Sequence, residues 1–267
     1  MKLFYRVIGE GNPLIILHGL YGSSDNWVSI AKELSKHFKV FILDQRNHGQ
    51  SPHDTEHSYN VMSKDLLDFY EDLRFNKAVL LGHSMGGKVA MQFAIDYPEK
   101  VSKLIIVDIA PWSHLSGNET SERLVEEHRQ IIKGLMSIPI NTITSRTEAN
   151  EILSHWVKSE GVRQFLLKNL KRDAEDSFTW RFNLPVLALN INLLVDGITP
   201  ECKNTRSEID TLYIRGEKSN YIPENRIEEI KNTFPVSKVV TVQGAGHWVH
   251  AEKPNEFLSE VNSFLNQ

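Results

Sequence analysis

The 267-residue chain has a single cysteine, Cys202, so no disulfide can close within it. A lone thiol fits a reducing compartment. With no His–Cys or Cys–Cys spacing beside it, Cys202 reads as a bystander rather than a metal ligand. Excess positive charge is also missing, since 30 Lys and Arg face 34 Asp and Glu, scattered along the chain. That balance offers no basic field for nucleic acid or an anionic membrane. Apolar runs such as Leu14-Ile15-Ile16-Leu17 stop at strand length, far short of the ~20 residues that cross a bilayer. Met1-Lys2-Leu3-Phe4-Tyr5-Arg6 lacks the apolar core and cleavage site of a secretory signal. Internal repeats and low-complexity tracts are lacking as well. These absences leave the expectation of a cytoplasmic globular protein. Its partner would be a small molecule, not nucleic acid or membrane.

Short apolar runs do recur, at 14–17, 40–43, 78–81, 104–107, 211–214 and 239–242. Most are continuous rather than alternating, the pattern of strands buried on both faces. Helical patterns lie between them at 59–73 and 86–97, with another at 255–265. In the first, Met62, Leu66, Phe69 and Leu73 fall on one stripe. Strands separated by helices predict an α/β fold with a mainly parallel sheet covered on both faces. Residues 3–8 read as a leading antiparallel strand at its edge. After Pro111 the alternation stops. Residues 112–196 read as helical, at 121–136, 147–158, 160–170 and 184–194, with no convincing strand. We therefore expect a core of residues 1–111 and 197–267, interrupted by a helical cap of residues 112–196. Such an insertion would lie over the strand C-terminal ends, where open α/β sheets bind ligands, and act as a lid.

Gly82-His83-Ser84-Met85-Gly86 joins the apolar run 78–81 to a helical pattern. A serine at the apex of a strand–turn–helix is the context that makes G-x-S-x-G a nucleophile elbow. The small residues either side let strand and helix approach, and the helix start offers free N–H groups to an oxyanion. A serine hydroxyl also needs a base. Among 11 histidines, His247 follows the last strand through Gly244, Ala245 and Gly246. Its rival, His250, falls into the next helical segment. The acid that orients the imidazole commonly sits in the loop after the penultimate strand. Here that loop ends in Ser219 and Asn220, neither ionisable. Asp108, closing the run 104–107, is preferred to Glu217, because a carboxylate ending such a strand needs a partner and His247 would be one. Backbone N–H groups of Met85 and Leu20 are the expected oxyanion donors. His18 and the polar loop Asp44-Gln45-Arg46-Asn47-His48-Gly49-Gln50-Ser51 are read as bracing. Activity should rise as pH climbs through roughly 6–7, where an unperturbed imidazole titrates.

These residues give the chain a resemblance to the α/β-hydrolase superfamily, and within it to the YbfF-type esterases and the α/β-hydrolase domain-containing 11 proteins. It is carried by His18-Gly19-Leu20-Tyr21-Gly22-Ser23, the loop from Asp44 to Ser51, Gly82-His83-Ser84-Met85-Gly86-Gly87, Val107-Asp108-Ile109-Ala110-Pro111 and Gly244-Ala245-Gly246-His247. Asn47, where such loops usually have glycine, and Asp108, after an earlier strand than is usual, narrow it to the subfamily. The resemblance implies a mainly parallel eight-stranded sheet, a helical cap and acyl transfer that uses no metal or cofactor. Ser84 would be nucleophile, His247 base and Asp108 acid, with Leu20 and Met85 at the oxyanion. The implied activity is a serine carboxylesterase for short- to medium-chain acyl esters. An acyl-CoA thioesterase, a C–C bond hydrolase and a non-catalytic ligand-binding protein are the alternatives. Trp156, Phe165, Leu166, Trp180 and Phe182 are candidates for an acyl pocket or for cap core. Lys168, Lys171 and Arg172 would suit the mouth of a thioesterase, or simply a solvated face.

Overall fold

The computed structural model describes residues 1–115, 119–172, 177–201 and 205–267, so Cys202 lies outside the described residues. The chain begins with β1 (Tyr5–Ile8), β2 (Pro13–Leu17), α1 (Val28–Leu34), β3 (Lys39–Leu43), α2 (Tyr59–Asp72), β4 (Ala78–His83), α3 (Met85–Asp96) and β5 (Val101–Val107). It continues through α4 (Glu119–Met136), α5 (Arg146–Ser154), α6 (Glu160–Leu167), β6 (Leu170–Arg172), β7 (Phe178–Trp180) and α7 (Leu184–Val195). It closes with β8 (Thr211–Gly216), β9 (Ser237–Val242), α8 (Val249–Glu252) and α9 (Pro254–Leu265). Seven strands form one sheet in the order β1-β3-β2-β4-β5-β8-β9. All pairings are parallel except that of β1 with β3. Among the described residues the sheet is thus one strand short of the eight that the resemblance implies. The stretch ahead of β1 packs elsewhere: the Met1 amino group bonds Asp65 at 2.9 Å and Asp68 at 2.6 Å on α2, and Leu3 is buried.

The continuous apolar runs serve two cores at once. In β2, Leu14 and Ile16 join Trp27, Leu34 and Phe257 on one face, while Ile15 and Leu17 join Tyr70, Met91 and Phe93 on the other. Alternate side chains of a strand point to opposite faces, so only an apolar residue at every position fills both. α1 and α9 cover the first face, and α2 and α3 the second. The connection through α1 therefore runs on one side of the sheet and those through α2 and α3 on the other. The winding reverses between β2 and β4, which pair with Leu17 opposite Gly82. Such a reversal splays the loops at the strand C-terminal ends apart and opens a crevice there.

The segment between β5 and β8 departs from the all-helical expectation. α6 ends at Leu167, and β6 and β7 form a short antiparallel hairpin, Leu170 opposite Trp180. Leu170 and Phe178 are buried while Lys171 and Thr179 are exposed. Alternation over three residues is too brief to stand out from a helical pattern. α4 packs on α7, and α5 on α6. Both ends of the segment meet at one buried side chain. Lys88, on α3, donates its Nζ hydrogens to the carbonyls of Trp112, at 3.2 Å, and Asp196. No helix among the described residues is long and apolar enough to cross a membrane.

Candidate active site

Ser84 sits at the C-terminal end of β4 and starts α3 with φ 52° and ψ −121°, a strained conformation for any residue but glycine. Its amide donates to the Val107 carbonyl at 3.1 Å, tying the turn to β5. A Cβ on Gly82 would collide with the Gly86 carbonyl, and one on Gly86 with the carbonyls of Leu17 and His18. Only glycine lets strand, turn and helix close this tightly. The Ser84 hydroxyl does not cap the helix it starts. It faces a cavity of about 170 Å³ whose lining also includes Leu20, Tyr21, His128, Phe165, Leu166, Tyr221, His247 and Trp248. A narrower pocket, with Leu20, Met85, Ile109 and His114 in its wall, adjoins it at Ser84.

His247 reaches that cavity from the loop after β9. Glu252 holds the loop on both sides of the ring, accepting from the amides of Gly246 at 2.7 Å and Trp248 at 3.2 Å. His83, next to the serine, donates from Nε2 to the His247 carbonyl at 2.9 Å, so backbone and elbow are tied. His247 Nδ1 lies 2.7 Å from Asp108 Oδ2. With Nδ1–H donating to the carboxylate, Nε2 is left as the basic nitrogen. The rival His250 is stacked on Trp27, with centroids 3.9 Å apart, and does not line the cavity.

Asp108 ends β5 with φ 51° and is fully buried. Its Oδ1 accepts from the Gly216 amide at 2.9 Å, and Oδ2 from the Ser219 hydroxyl as well as from His247. Burial pushes the carboxyl up to about 7, against the Ser219 and Gly216 donors and the charge of Arg215, which favour the ionised form. Burial pushes the imidazole of His247 down, keeping it neutral near pH 7. Glu217 is exposed and accepts from the Gly244 amide at 2.8 Å, bracing the histidine loop without reaching its ring. Ser219 was passed over in the sequence because it cannot ionise. Its position was the signal, since it stands where an acid is commonly found and donates to the acid that comes from β5.

Behind β2, the Tyr21 amide is engaged with His48 Nε2 at 3.2 Å and that of Gly22 with the Gly19 carbonyl at 2.9 Å. Leu20 stands between them on the cavity wall. The Met85 amide belongs to the first turn of α3, where no intrahelical acceptor exists. His18 is spent on structure: Nδ1–H donates to the Gly19 carbonyl at 2.8 Å, and Nε2 accepts from the Gln45 amide at 3.0 Å. The loop after β3 is braced likewise. Asp44 accepts from the amides of Ser24 and Gln50, Arg46 forks onto Asp65, and Asn47 accepts from Asn183 in the segment before α7. Of the apolar candidates, Phe165 and Leu166 line the cavity. Trp180 stacks on buried Phe182, and Trp156 packs beside Gly134. Arg172 lies over Phe178 and bonds the Thr144 carbonyl; with Lys168 and Lys171 it is absent from the lining. Among the described residues no three His, Cys, Asp or Glu side chains are grouped to hold a metal ion.

Residues 12–254 match the model of the α/β hydrolase fold family. The chain is 39% identical to sn-1-specific diacylglycerol lipase ABHD11 of Danio rerio, over 96% of this chain and 79% of that one. It is 34% identical to esterase YbfF of Escherichia coli, over 96% and 94% of the two chains. A solved marine microorganism esterase superposes with a TM-score of 0.92 at 41% identity, covering 98% of this chain and 99% of that one. With its sheet reversal, its elbow and this extent of likeness, the chain belongs to the α/β hydrolase fold family.

Proposed function

We propose that this protein is a serine carboxylesterase that cleaves short- to medium-chain acyl esters through an acyl-enzyme. Its relatives are esterases and lipases, and the chain is a hydrolase of that type. The observation that carries the serine mechanism is the 2.7 Å bond between Asp108 and His247, on a ring that shares one cavity with the elbow serine. Ser84 Oγ attacks the ester carbonyl while His247 Nε2 takes its proton. The C–O bond then breaks and the same proton passes to the leaving alcohol. The amides of Leu20 and Met85 hold the oxyanion. Water repeats the sequence on the acyl-Ser84 ester, releasing the acid. Residues 112–196 act as the cap, with Phe165 and Leu166 supplying apolar wall. A fluorophosphonate should label Ser84 with one equivalent and abolish hydrolysis of p-nitrophenyl butyrate, as read by peptide mass mapping. Labelling elsewhere with loss of activity would overturn this assignment.

The acid limb of the pH profile belongs to the coupled His247–Asp108 pair, not to a free imidazole. Catalysis needs the imidazole neutral and the carboxyl ionised. With Asp108 raised to about 7, kcat/KM falls as the pair takes up a proton below that pH. The Ser219 hydroxyl donates to the carboxylate and so holds the proton affinity down. Ser219→Ala is therefore expected to move the midpoint to higher pH, by roughly one pH unit for one lost donor. A pH profile of kcat/KM from 5 to 9 decides it, and an unmoved midpoint would disconnect Ser219 from the acid.

A further inference from the structure

Two cavities meet at Ser84, and an ester has two chains to place. The narrow one is walled by Met85, Ile109, Leu124, Leu194 and Val195, all buried, and its volume is about 20 Å³. On a scale where one water takes about 10–15 Å³, that is room for about one or two carbon-sized groups. The wide one, about 170 Å³, does not end at its own wall. Val162, Phe165 and Trp248 belong both to it and to an outer cleft of about 940 Å³. A partition divides narrow from wide. Tyr221 stacks on His247, with centroids 4.0 Å apart and planes 21° from parallel, and its hydroxyl lies 2.9 Å from Nε2 of His128, on α4. Both Tyr221 and His128 line both cavities.

The far wall of the narrow pocket is pinned. Tyr59, the first residue of α2, donates its hydroxyl to the Leu194 carbonyl, and Lys88 of α3 holds the carbonyl of Asp196 two residues on. The C-terminal end of α7 is thus fastened to two core helices, and swinging it aside to admit a longer chain breaks both bonds. Given the roles of Ser84 and His247 above, the chemistry decides which chain goes where. In the tetrahedral intermediate the oxyanion faces the amides of Leu20 and Met85, and the leaving oxygen must reach His247 Nε2. His247 belongs to the wall of the wide cavity, whereas Met85 belongs to that of the narrow one. The alcohol chain therefore runs along the wide side, towards the outer cleft, and the acyl chain is left with the narrow pocket. We propose that the narrow pocket is the acyl subsite, its size set by Leu124 of α4 and Leu194 of α7, and that acetyl and propionyl esters of long alcohols are the preferred substrates. The inference rests on the esterase reading and places the optimum at the short end of its acyl range.

Three esters test it. Ethyl acetate is the parent; four methylenes added to its alcohol give hexyl acetate, and the same four added to its acyl chain give the isomeric ethyl hexanoate. With each kcat/KM divided by that ester's rate with hydroxide, hexyl acetate should equal or exceed the parent. Ethyl hexanoate should fall about tenfold or more below it, since one methylene too many in an apolar pocket already costs about that factor. Leu124→Ala and Leu194→Ala, each checked for folding by thermal melting, should raise ethyl hexanoate several-fold relative to hexyl acetate, because the space vacated by a truncated side chain collapses only in part. A tenfold fall on the alcohol side, or no fall on the acyl side, overturns the assignment. So does a ratio of the two isomers left unchanged in whichever of the variants folds; if neither folds, the wild-type series decides alone. If all three esters are cleaved alike and Ser84→Ala abolishes the cleavage, only the pocket assignment fails. If none is cleaved, the esterase reading fails with it.

Discussion

Ser84→Ala is expected to lower kcat for p-nitrophenyl butyrate by roughly 10⁴- to 10⁶-fold, the range seen when a serine hydrolase loses its nucleophile. The size follows from what the cavity retains. On the proposed mechanism the amides of Leu20 and Met85 and the apolar wall would still bind and polarise the ester, but no bond to the acyl group could form. Folding should survive, because the Ser84 hydroxyl makes no cap for α3 and the turn is held through backbone groups and the flanking glycines. Circular dichroism and thermal melting beside the kinetics separate lost chemistry from lost structure. Turnover within tenfold of wild type in a folded variant would remove Ser84 from the mechanism.

Asp108→Asn is expected to cost about 10⁴-fold in kcat, as when the triad carboxylate of a serine protease becomes an amide. The carboxylate accepts from Gly216 on one oxygen and from Ser219 and His247 on the other. An amide has one accepting oxygen. Turned towards Gly216, it sets its NH2 against the Ser219 hydroxyl and His247 Nδ1, which selects the imidazole tautomer with its hydrogen on Nε2. That tautomer cannot take the serine proton. Turned the other way, the NH2 faces the Gly216 N–H, and a buried donor goes unpaired. Glu217→Gln, on an exposed side chain bonded to the Gly244 amide, should stay within a few-fold of wild type. Kinetics of both variants on one ester decide between the two acids. A collapse of Glu217→Gln with Asp108→Asn unharmed would reverse the assignment.

Much of the fold was legible because strands buried on both faces need an apolar residue at every position. The runs in β2, β3, β4, β5 and β8 announced themselves, and the short β1 was readable as an edge strand. The hairpin of β6 and β7 escaped because three residues carry no period. The eighth strand came from resemblance, not from residues. The chain ahead of β1 binds α2 instead, through an amino group that no hydropathy pattern weighs.

The candidate site divides along the same line. The elbow is local: glycines two residues either side of Ser84, an apolar strand before it and a helix after it, all within a dozen positions. Sequence alone could determine that, together with a late histidine behind a run of small residues. It also offered two acids. Their separation was a matter of strand order, because β5 pairs with β8 and β8 with β9, placing Asp108 beside Gly216 and Ser219 and under His247. The stacking of Tyr221 on His247, the reach of His128 from α4 and the meeting of Trp112 and Asp196 at Lys88 were likewise decided only in three dimensions. Backbone periodicity is set by neighbours a few residues away, whereas a side chain's partners depend on how the sheet is wound and on what the inserted helices bring down over it.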